Sequence, residues 1–156
     1  MGAGEGATPQ DIKHAYELGE LIARQGWVLL TGGRKAGVMD AASRGAKAAG
    51  GLTIGILPGK DTAGISEAVD LAIITDLGNA RNNINVLTAS VVIACGMGAG
   101  TASEVALALK NGKRVILLTE DAASKQFFTE LSSNTTIANH PAEAIAWVRQ
   151  FVGHSN

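Results

Sequence analysis

A glycine-rich turn at residues 31–39 places basic side chains where an anion could bind. An apolar run ends at Thr31, two adjacent glycines follow, and a predicted helix begins after a third glycine. This geometry aims backbone N–H groups and the positive end of a helix dipole at an anion. The alternative is a plain turn with solvated basic residues, but two cations beside a glycine pair favour phosphate. We expect contacts from Gly32, Gly33, Arg34, Lys35, Gly37 and Met39.

A second glycine-rich turn follows the apolar run at 91–95 and again leads into a predicted helix. Thr101 and Glu104 are three residues apart, which is the spacing of a helix capping box. Glu104 therefore either caps the helix or presents a hydrogen-bonding carboxylate to a ligand, and the spacing leaves both roles open. The candidate binding residues of this turn are Gly98, Ala99, Gly100, Thr101 and Glu104.

Asparagine and arginine crowd a third segment, residues 78–85. Asparagine is a poor residue for a helix interior, so several in one turn indicate the polar wall of a pocket. The guanidinium of Arg81 has the planar fork that matches phosphate oxygens. In the alternative interpretation, Asn79 only caps the helix and Arg81 lies on the surface. The candidate binding residues here are Asn79, Arg81 and Asn82.

Strands and helices alternate around these motifs. The apolar runs are continuous rather than alternating, which is typical of parallel strands covered on both faces. The first helix opens with Thr8 as its cap and Pro9 at its first position. The predicted strands are 27–31, 52–57, 71–75, 91–95 and 114–119. The predicted helices run from Pro9 to a turn at Gly26 and over 38–49, 79–89, 101–110 and 142–151.

This order predicts the α/β class: a single doubly wound, mostly parallel Rossmann-like sheet with helices on both faces. We expect one domain over residues 1–156. An alanine-rich helix would let helices sit close against the sheet, through Ala41, Ala42, Ala46, Ala48 and Ala49. Residues 2–6 resemble a turn between a strand and a helix, yet no strand precedes them. We therefore expect a strand of about five to six residues before Gly2, because an unpaired central position would expose sheet edges.

Composition excludes several classes of protein. The net charge of −1 argues against a general nucleic-acid binder. No apolar run reaches the length of a membrane span. Cys95 is the single cysteine and cannot form an internal disulfide; we interpret it as a small buried hydrophobic residue. The scattered His14, His140 and His154 have no metal-site spacing and are expected at the surface. We expect no metal site and a cytoplasmic setting.

Together the three motifs resemble the LOG-like family, often labelled lysine decarboxylase-like. That Rossmann-like family includes cytokinin-activating phosphoribohydrolases and molybdenum-cofactor carrier proteins. Residues 31–39 are similar to its GGG-x-x-G-x-M turn. The segment from Arg81 to Glu104 is similar, without a gap, to its Arg-Lys pair, strand and P-G-G-x-G-T-x-x-E loop. The family's lysine after the arginine is Asn82 here, and its Pro-Gly is Gly-Met. These differences most resemble the carrier branch.

The resemblance implies that the chain binds and carries or stores the molybdenum cofactor, a pterin dithiolene with one phosphate. The glycine turns, Arg34, Lys35 and Arg81 would then hold the phosphate, and Thr101 and Glu104 would donate or accept directional hydrogen bonds. One alternative is a LOG-type hydrolase that cleaves the N-ribosidic bond of a nucleoside 5′-monophosphate, with Arg81 and Glu104 in the two catalytic positions. Another is a nucleotide sensor or structural oligomer with its glycine loops in a subunit interface.

The implied partners are a phosphate-bearing small molecule, a second copy in a homodimer or homotetramer, and a molybdoenzyme as acceptor of the cofactor. No nucleic acid and no membrane are expected.

Overall fold

The computed structural model describes residues 1–153, in which strands and helices alternate; His154 lies outside the described residues. The strands are β1 (Leu29–Thr31), β2 (Thr53–Leu57), β3 (Leu71–Ile74), β4 (Val91–Cys95), β5 (Arg114–Leu118) and β6 (Thr135–Ile137). The helices are α1 (Pro9–Arg24), α2 (Gly37–Ala48), α3 (Arg81–Thr88), α4 (Ala99–Lys110), α5 (Ala122–Leu131) and α6 (Pro141–Gly153). A short 3₁₀ turn, Gly78–Ala80, precedes α3.

The strands form two parallel three-stranded sheets, ordered β1-β2-β3 and β4-β5-β6. The first residues of the chain lie against β4. Gly2 pairs in parallel with Cys95, the Met1 amino group donates to the Ile93 carbonyl at 2.8 Å, and the Cys95 N–H donates to the Met1 carbonyl at 2.9 Å. The Ala3 carbonyl oxygen accepts a hydrogen bond from the Val38 N–H in the first turn of α2, with 3.0 Å between oxygen and nitrogen. That a strand precedes Gly2 stays a prediction.

Helices cover both faces of β4–β6, as the side chains of β5 demonstrate. Ile116 and Leu118 pack in a core with residues of α1, α2 and α6. Val115 and Leu117 point the opposite way, into a core with residues of α3, α4 and α5. Successive side chains of a strand point to opposite faces, so this continuous apolar run serves two cores. The prediction of a doubly wound parallel α/β fold is confirmed, although the strands form two three-stranded sheets and not the single sheet that was predicted.

The closest helix pair is α1 with α2, and glycines make it close. A Cβ added at Gly19 would lie 2.0 Å from the Ala42 carbonyl oxygen, and one at Gly45 would lie 2.0 Å from the Tyr16 carbonyl oxygen. The backbones can approach this far only because both positions lack a side chain. Of the predicted alanine face, Ala41, Ala42 and Ala46 are buried, whereas Ala48 is exposed and Ala49 half-buried.

The predicted bounds differ from the observed ones by two residues or fewer, but three expectations were wrong. The strand β3 is not covered on both faces: it lies at the edge of its sheet, and all four of its residues are exposed in the described chain. The prediction missed α5, where Phe128 is the single buried residue and gives no apolar stripe. It also missed β6, which has three residues and too short a pattern.

Candidate functional site

A cavity of about 360 Å³ lies between β1 and β4, and all three predicted motifs reach it. It opens at the carboxyl ends of these strands, where doubly wound folds bind ligands. Its lower part, lined by Leu30 and residues 91–93, lies between the two strands. Residues of the three motifs line the rest of the cavity, so we place the candidate site there. Of the residues predicted from sequence, those that line the cavity are Gly32, Arg34, Met39, Asn79, Arg81, Asn82, Gly98, Ala99, Gly100, Thr101 and Glu104.

Three predicted binding residues do not line the cavity: Gly33, Lys35 and Gly37. The Lys35 ammonium instead donates to the Glu67 carboxylate at 2.6 Å on the protein surface. That hydrogen bond raises the pKa of Lys35. Of the two basic residues of the first turn, Arg34 therefore lines the cavity, whereas Lys35 forms an exposed ion pair.

Gly33 and Gly37 pack against the chain itself. Both have positive φ, 72° and 48°. A Cβ at Gly33 would lie 2.7 Å from the Leu57 side chain, and one at Gly37 would lie 2.1 Å from the Gly4 carbonyl oxygen. Their conformation and these close approaches require glycine. These two glycines therefore allow the conformation of the turn but do not line the cavity.

Arg81 is buried in the cavity wall, so its alternative placement on the surface is wrong. Its guanidinium lies against Gly32, where an added Cβ would come within 2.5 Å of both terminal nitrogens. Burial lowers the pKa of Arg81, while the negative charge of Glu104 acts in the opposite direction. The first and third motifs are thus in contact, and a side chain at position 32 would have to displace this guanidinium.

Glu104 also faces the cavity and does not cap its helix. Helix α4 begins at Ala99, two residues before the predicted start, and its cap residue Gly98 has no side-chain partner. One carboxylate oxygen, Oε1, instead accepts a hydrogen bond from the Asn85 Nδ2 amide at 3.2 Å. The capping-box interpretation is wrong because the earlier start of α4 moves Thr101 inside the helix. Asn79 likewise caps nothing, since α3 begins after Ala80 without a side-chain cap.

Asn85 is a cavity residue that the sequence analysis missed. It lies one helical turn after Arg81, and residues four apart on a helix share a face. That spacing, in a segment already rich in asparagine, is the signal that could have identified it. Asn85 thereby connects α3 to Glu104 on α4 across the cavity wall.

Four polar side chains are buried together here, and within residues 1–153 they leave hydrogen-bonding atoms unpaired. The atoms without a partner are Arg81 Nε, Asn85 Oδ1 and Thr101 Oγ1. Burying such an atom unpaired costs about 1–3 kcal/mol. Folded proteins pair nearly all of their buried polar atoms. This cluster therefore has the character of a binding surface, with exposed fractions of 9% for Arg81, 5% for Asn85, 2% for Thr101 and 7% for Glu104.

The mouth of the cavity has a different character. At Gly100, in the first turn of α4, no described atom apart from its chain neighbours and its own helix backbone lies within 4 Å of an added Cβ, and at Gly98 the nearest is 3.9 Å away. Arg34 is exposed at this mouth. The mouth thus combines open backbone, a helix N-terminus and a cation, which together suit an anion.

Cys95 lies at the end of β4, and the prediction of a small buried residue is confirmed at 2% exposure. Burial raises the pKa of its thiol to about 12. Among the described residues, no group of three or more His, Cys, Asp and Glu side chains could hold a metal ion. None of the described helices is long and apolar enough to cross a membrane.

Comparison with known proteins assigns the family. A molybdenum cofactor binding protein from Rippkaea orientalis is 62% identical, with a TM-score of 0.96 over 97% of this chain and 94% of that one. The molybdenum cofactor carrier protein of Chlamydomonas reinhardtii is 52% identical, with a TM-score of 0.92 over 98% of this chain and 96% of that one. An uncharacterized protein of Archaeoglobus fulgidus is 48% identical over 118 residues, 76% of either chain. The model of the SLOG cluster4 family matches residues 1–145, and this chain belongs to that family.

Proposed function

We propose that this protein binds the molybdenum cofactor and carries or stores it. The observation that carries the proposal is the cavity between β1 and β4, which joins an anion-binding mouth to a buried polar wall. A phosphate-bearing pterin needs both parts. The similarity to the proteins from Rippkaea orientalis and Chlamydomonas reinhardtii supports the same ligand.

Phosphate is the group we assign to the mouth. The backbone N–H groups at residues 98–100 lie at the positive end of α4, and Arg34 lines the same cavity and adds a full charge. Glycine at positions 98 and 100 lets a phosphate approach the backbone closely. The remaining candidate residues of the mouth are Met39, Asn79, Asn82 and Ala99, which line the cavity around it.

The direct test is retention of released cofactor. The purified protein is mixed anaerobically with cofactor released from a molybdoenzyme and then gel-filtered, and molybdenum and pterin are measured in the protein fraction. We expect both to elute with the protein near one equivalent. We also expect the retained cofactor to reactivate an apo-molybdoenzyme for longer than free cofactor does. Loss of both molybdenum and pterin on gel filtration would remove the proposal.

The neighbours Arg34 and Lys35 form a matched pair for testing the phosphate position. Arg34→Ala removes a cation at the mouth, and charge-assisted hydrogen bonds are strong, so we expect cofactor retention to fall by about tenfold or more. Lys35→Ala removes a cation that pairs with Glu67 outside the cavity, and we expect retention within about twofold of the unchanged protein. Equal losses in the two variants would contradict the assignment of phosphate to the mouth.

Hydrolysis of a nucleoside 5′-monophosphate is the alternative enzyme function, with Arg81 and Glu104 as the catalytic pair. The identity to named carriers favours binding over this reaction. Incubation with AMP distinguishes the two functions. Adenine and ribose 5-phosphate that appear with the unchanged protein, and not with Glu104→Ala, would establish the hydrolase. The Glu104→Ala protein must unfold at a temperature similar to that of the unchanged protein for this comparison to hold.

We also propose that the chain assembles as a homodimer or homotetramer and delivers the cofactor to a molybdoenzyme. Exposed apolar side chains on the edge strand β3, Leu71, Ile73 and Ile74, support an association. Of the alanine face of α2, Ala41, Ala42 and Ala46 are packed inside the chain and are not available for it. Light scattering after size exclusion measures the mass, and Ile73→Lys should reduce an oligomer to a smaller species. A cytoplasmic setting stays a prediction.

A further inference from the structure

We propose that the buried cluster of Arg81, Asn85, Thr101 and Glu104 recognises the ring of the ligand. We further propose that the ring it selects carries a 2-amino-4-oxo-pyrimidine edge, the edge that pterins and guanine share. The inference rests on the proposed function for the identity of the natural ligand. It adds an orientation, with the ring inward and the phosphate at the mouth, and it assigns Asn85 the role of setting ring selectivity.

Charge separates the two ends of the cavity. The buried cluster contains one cation, Arg81, and one anion, Glu104, so its formal charge is zero. A phosphate placed beside the Glu104 carboxylate would face a like charge away from bulk solvent, which is costly. Glu104 is the single carboxylate among the described residues that line the cavity, whereas the mouth offers Arg34 and the N-terminus of α4. The neutral part of a ligand therefore fits the cluster, and its anionic part fits the mouth.

Helix geometry places the cluster in two levels. Glu104 lies three residues beyond Thr101 on α4, about 4.5 Å further from the mouth along the helix axis. Asn85 lies four residues beyond Arg81 on α3 and shares its face. Because Asn85 donates to Glu104, these two residues form the lower level and Arg81 and Thr101 the upper one.

The unpaired atoms define which ring edge fits. The Asn85 amide donates an N–H to Glu104, so its oxygen, buried and unpaired in the cavity wall, is left as an acceptor. The Glu104 carboxylate is a second acceptor beside it. Arg81 Nε is an unpaired donor, and the Thr101 hydroxyl can donate or accept. The cluster thus presents two adjacent acceptors and at least one donor.

A 2-amino-4-oxo-pyrimidine edge is the complement of that arrangement. Its ring N–H and amino group are adjacent donors for Asn85 and Glu104, and its carbonyl oxygen is an acceptor for Arg81 or Thr101. The corresponding edge of adenine has one donor group and one acceptor, so it would leave an acceptor of the cluster unpaired. Sites built to pair a polar group discriminate strongly against analogues that lack it.

The first experiment measures the ring preference of the unchanged protein by calorimetry with GMP and AMP. Both carry a 5′-phosphate, so they differ only in the ring. We expect GMP to bind at least about tenfold more tightly than AMP. Equal affinities, or a preference for AMP, would overturn the proposal without any variant that could misfold.

The second experiment uses unphosphorylated pterin, followed by its own fluorescence, with two variants that keep the branched shape of the side chain. Asn85→Leu removes both polar atoms of the amide and Thr101→Val removes the hydroxyl, and we expect pterin affinity to fall by about 10- to 100-fold for Asn85→Leu and by less for Thr101→Val. Lys35→Ala, outside the cavity, is the control and should bind pterin as the unchanged protein does. Pterin affinity within twofold in both cluster variants, with unchanged thermal unfolding, would overturn the proposal.

These experiments distinguish failure of the ring assignment from failure of the proposed carrier function. If the unchanged protein retains molybdenum cofactor but Asn85→Leu retains it equally well, the ring assignment fails and the carrier function stands. If the unchanged protein prefers GMP and binds pterin but releases molybdenum cofactor on gel filtration, the ring assignment stands and the carrier function fails.

Discussion

In the turn at residues 31–39, a Cβ added at Gly32 or Gly37 would collide with the protein itself, whereas at Gly100 in the turn after β4 none of the described atoms lies within 4 Å. Both turns join a parallel strand to a helix and look alike as sequence. In the first, glycine lets Arg81 and the start of the chain pack against the backbone. In the second, glycine leaves the backbone open towards the cavity. A glycine-rich turn can therefore either pack against other parts of the protein or expose its backbone to a ligand. Which of the two occurs depends on the residues that surround it in the folded chain.

The largest effect should come from Gly37→Ala in the first turn. The new Cβ would lie 2.1 Å from the Gly4 carbonyl oxygen at a φ of 48°, so strain and overpacking should together lower the free energy of unfolding by about 2–4 kcal/mol. Chemical denaturation measures the change. Gly112→Ala is the matched control, because Gly112 has a φ of 69° and open surroundings, and it should cost about 1 kcal/mol. Equal costs would show that close packing does not distinguish this turn.

In the second turn, Gly100→Ala should separate binding from stability. Alanine is a better helix residue than glycine by about 1 kcal/mol, so the free energy of unfolding should stay the same or rise. Retention of molybdenum cofactor should fall by about tenfold, because the methyl group would occupy the space above the open backbone. The measurements are denaturation and gel filtration on one preparation. Full retention by a stable variant would contradict the assignment of this turn to the ligand.

The smallest effect concerns Cys95, which ends the strand beneath the second turn. Burial raises the pKa of its thiol from 9.0 to about 12, so folding favours the protonated form. The resulting stability is present below about pH 9 and is lost as the pH rises towards about 12. We expect this decline relative to Cys95→Ala, and slow thiol labelling of the folded protein at pH 8. Rapid labelling would mean that the end of β4 opens in the folded protein. The open backbone of the second turn would then be one of several conformations and not a constant difference from the first turn.

Most of the fold could be predicted because its signals are local. The run at 91–95 is apolar throughout and was predicted with its observed bounds, and Thr8 does cap α1 through a capping box with Asp11. Exposure of β3 could not be predicted, since an edge strand and a covered one can share an apolar pattern. Helix α5 was missed because one buried residue, Phe128, leaves no periodic apolar face.

For the candidate site, the sequence by itself determined which segments matter: two glycine turns at strand ends and a helix start rich in asparagine. It determined these because turn chemistry and strand patterning act between near neighbours. Only the tertiary structure decided the role of each residue. It paired Lys35 with Glu67, buried Arg81 against Gly32, and turned Glu104 from its own helix towards Asn85. Each of these contacts joins residues far apart in the chain. Which partner satisfies each charge or polar atom is therefore determined only when the whole chain folds.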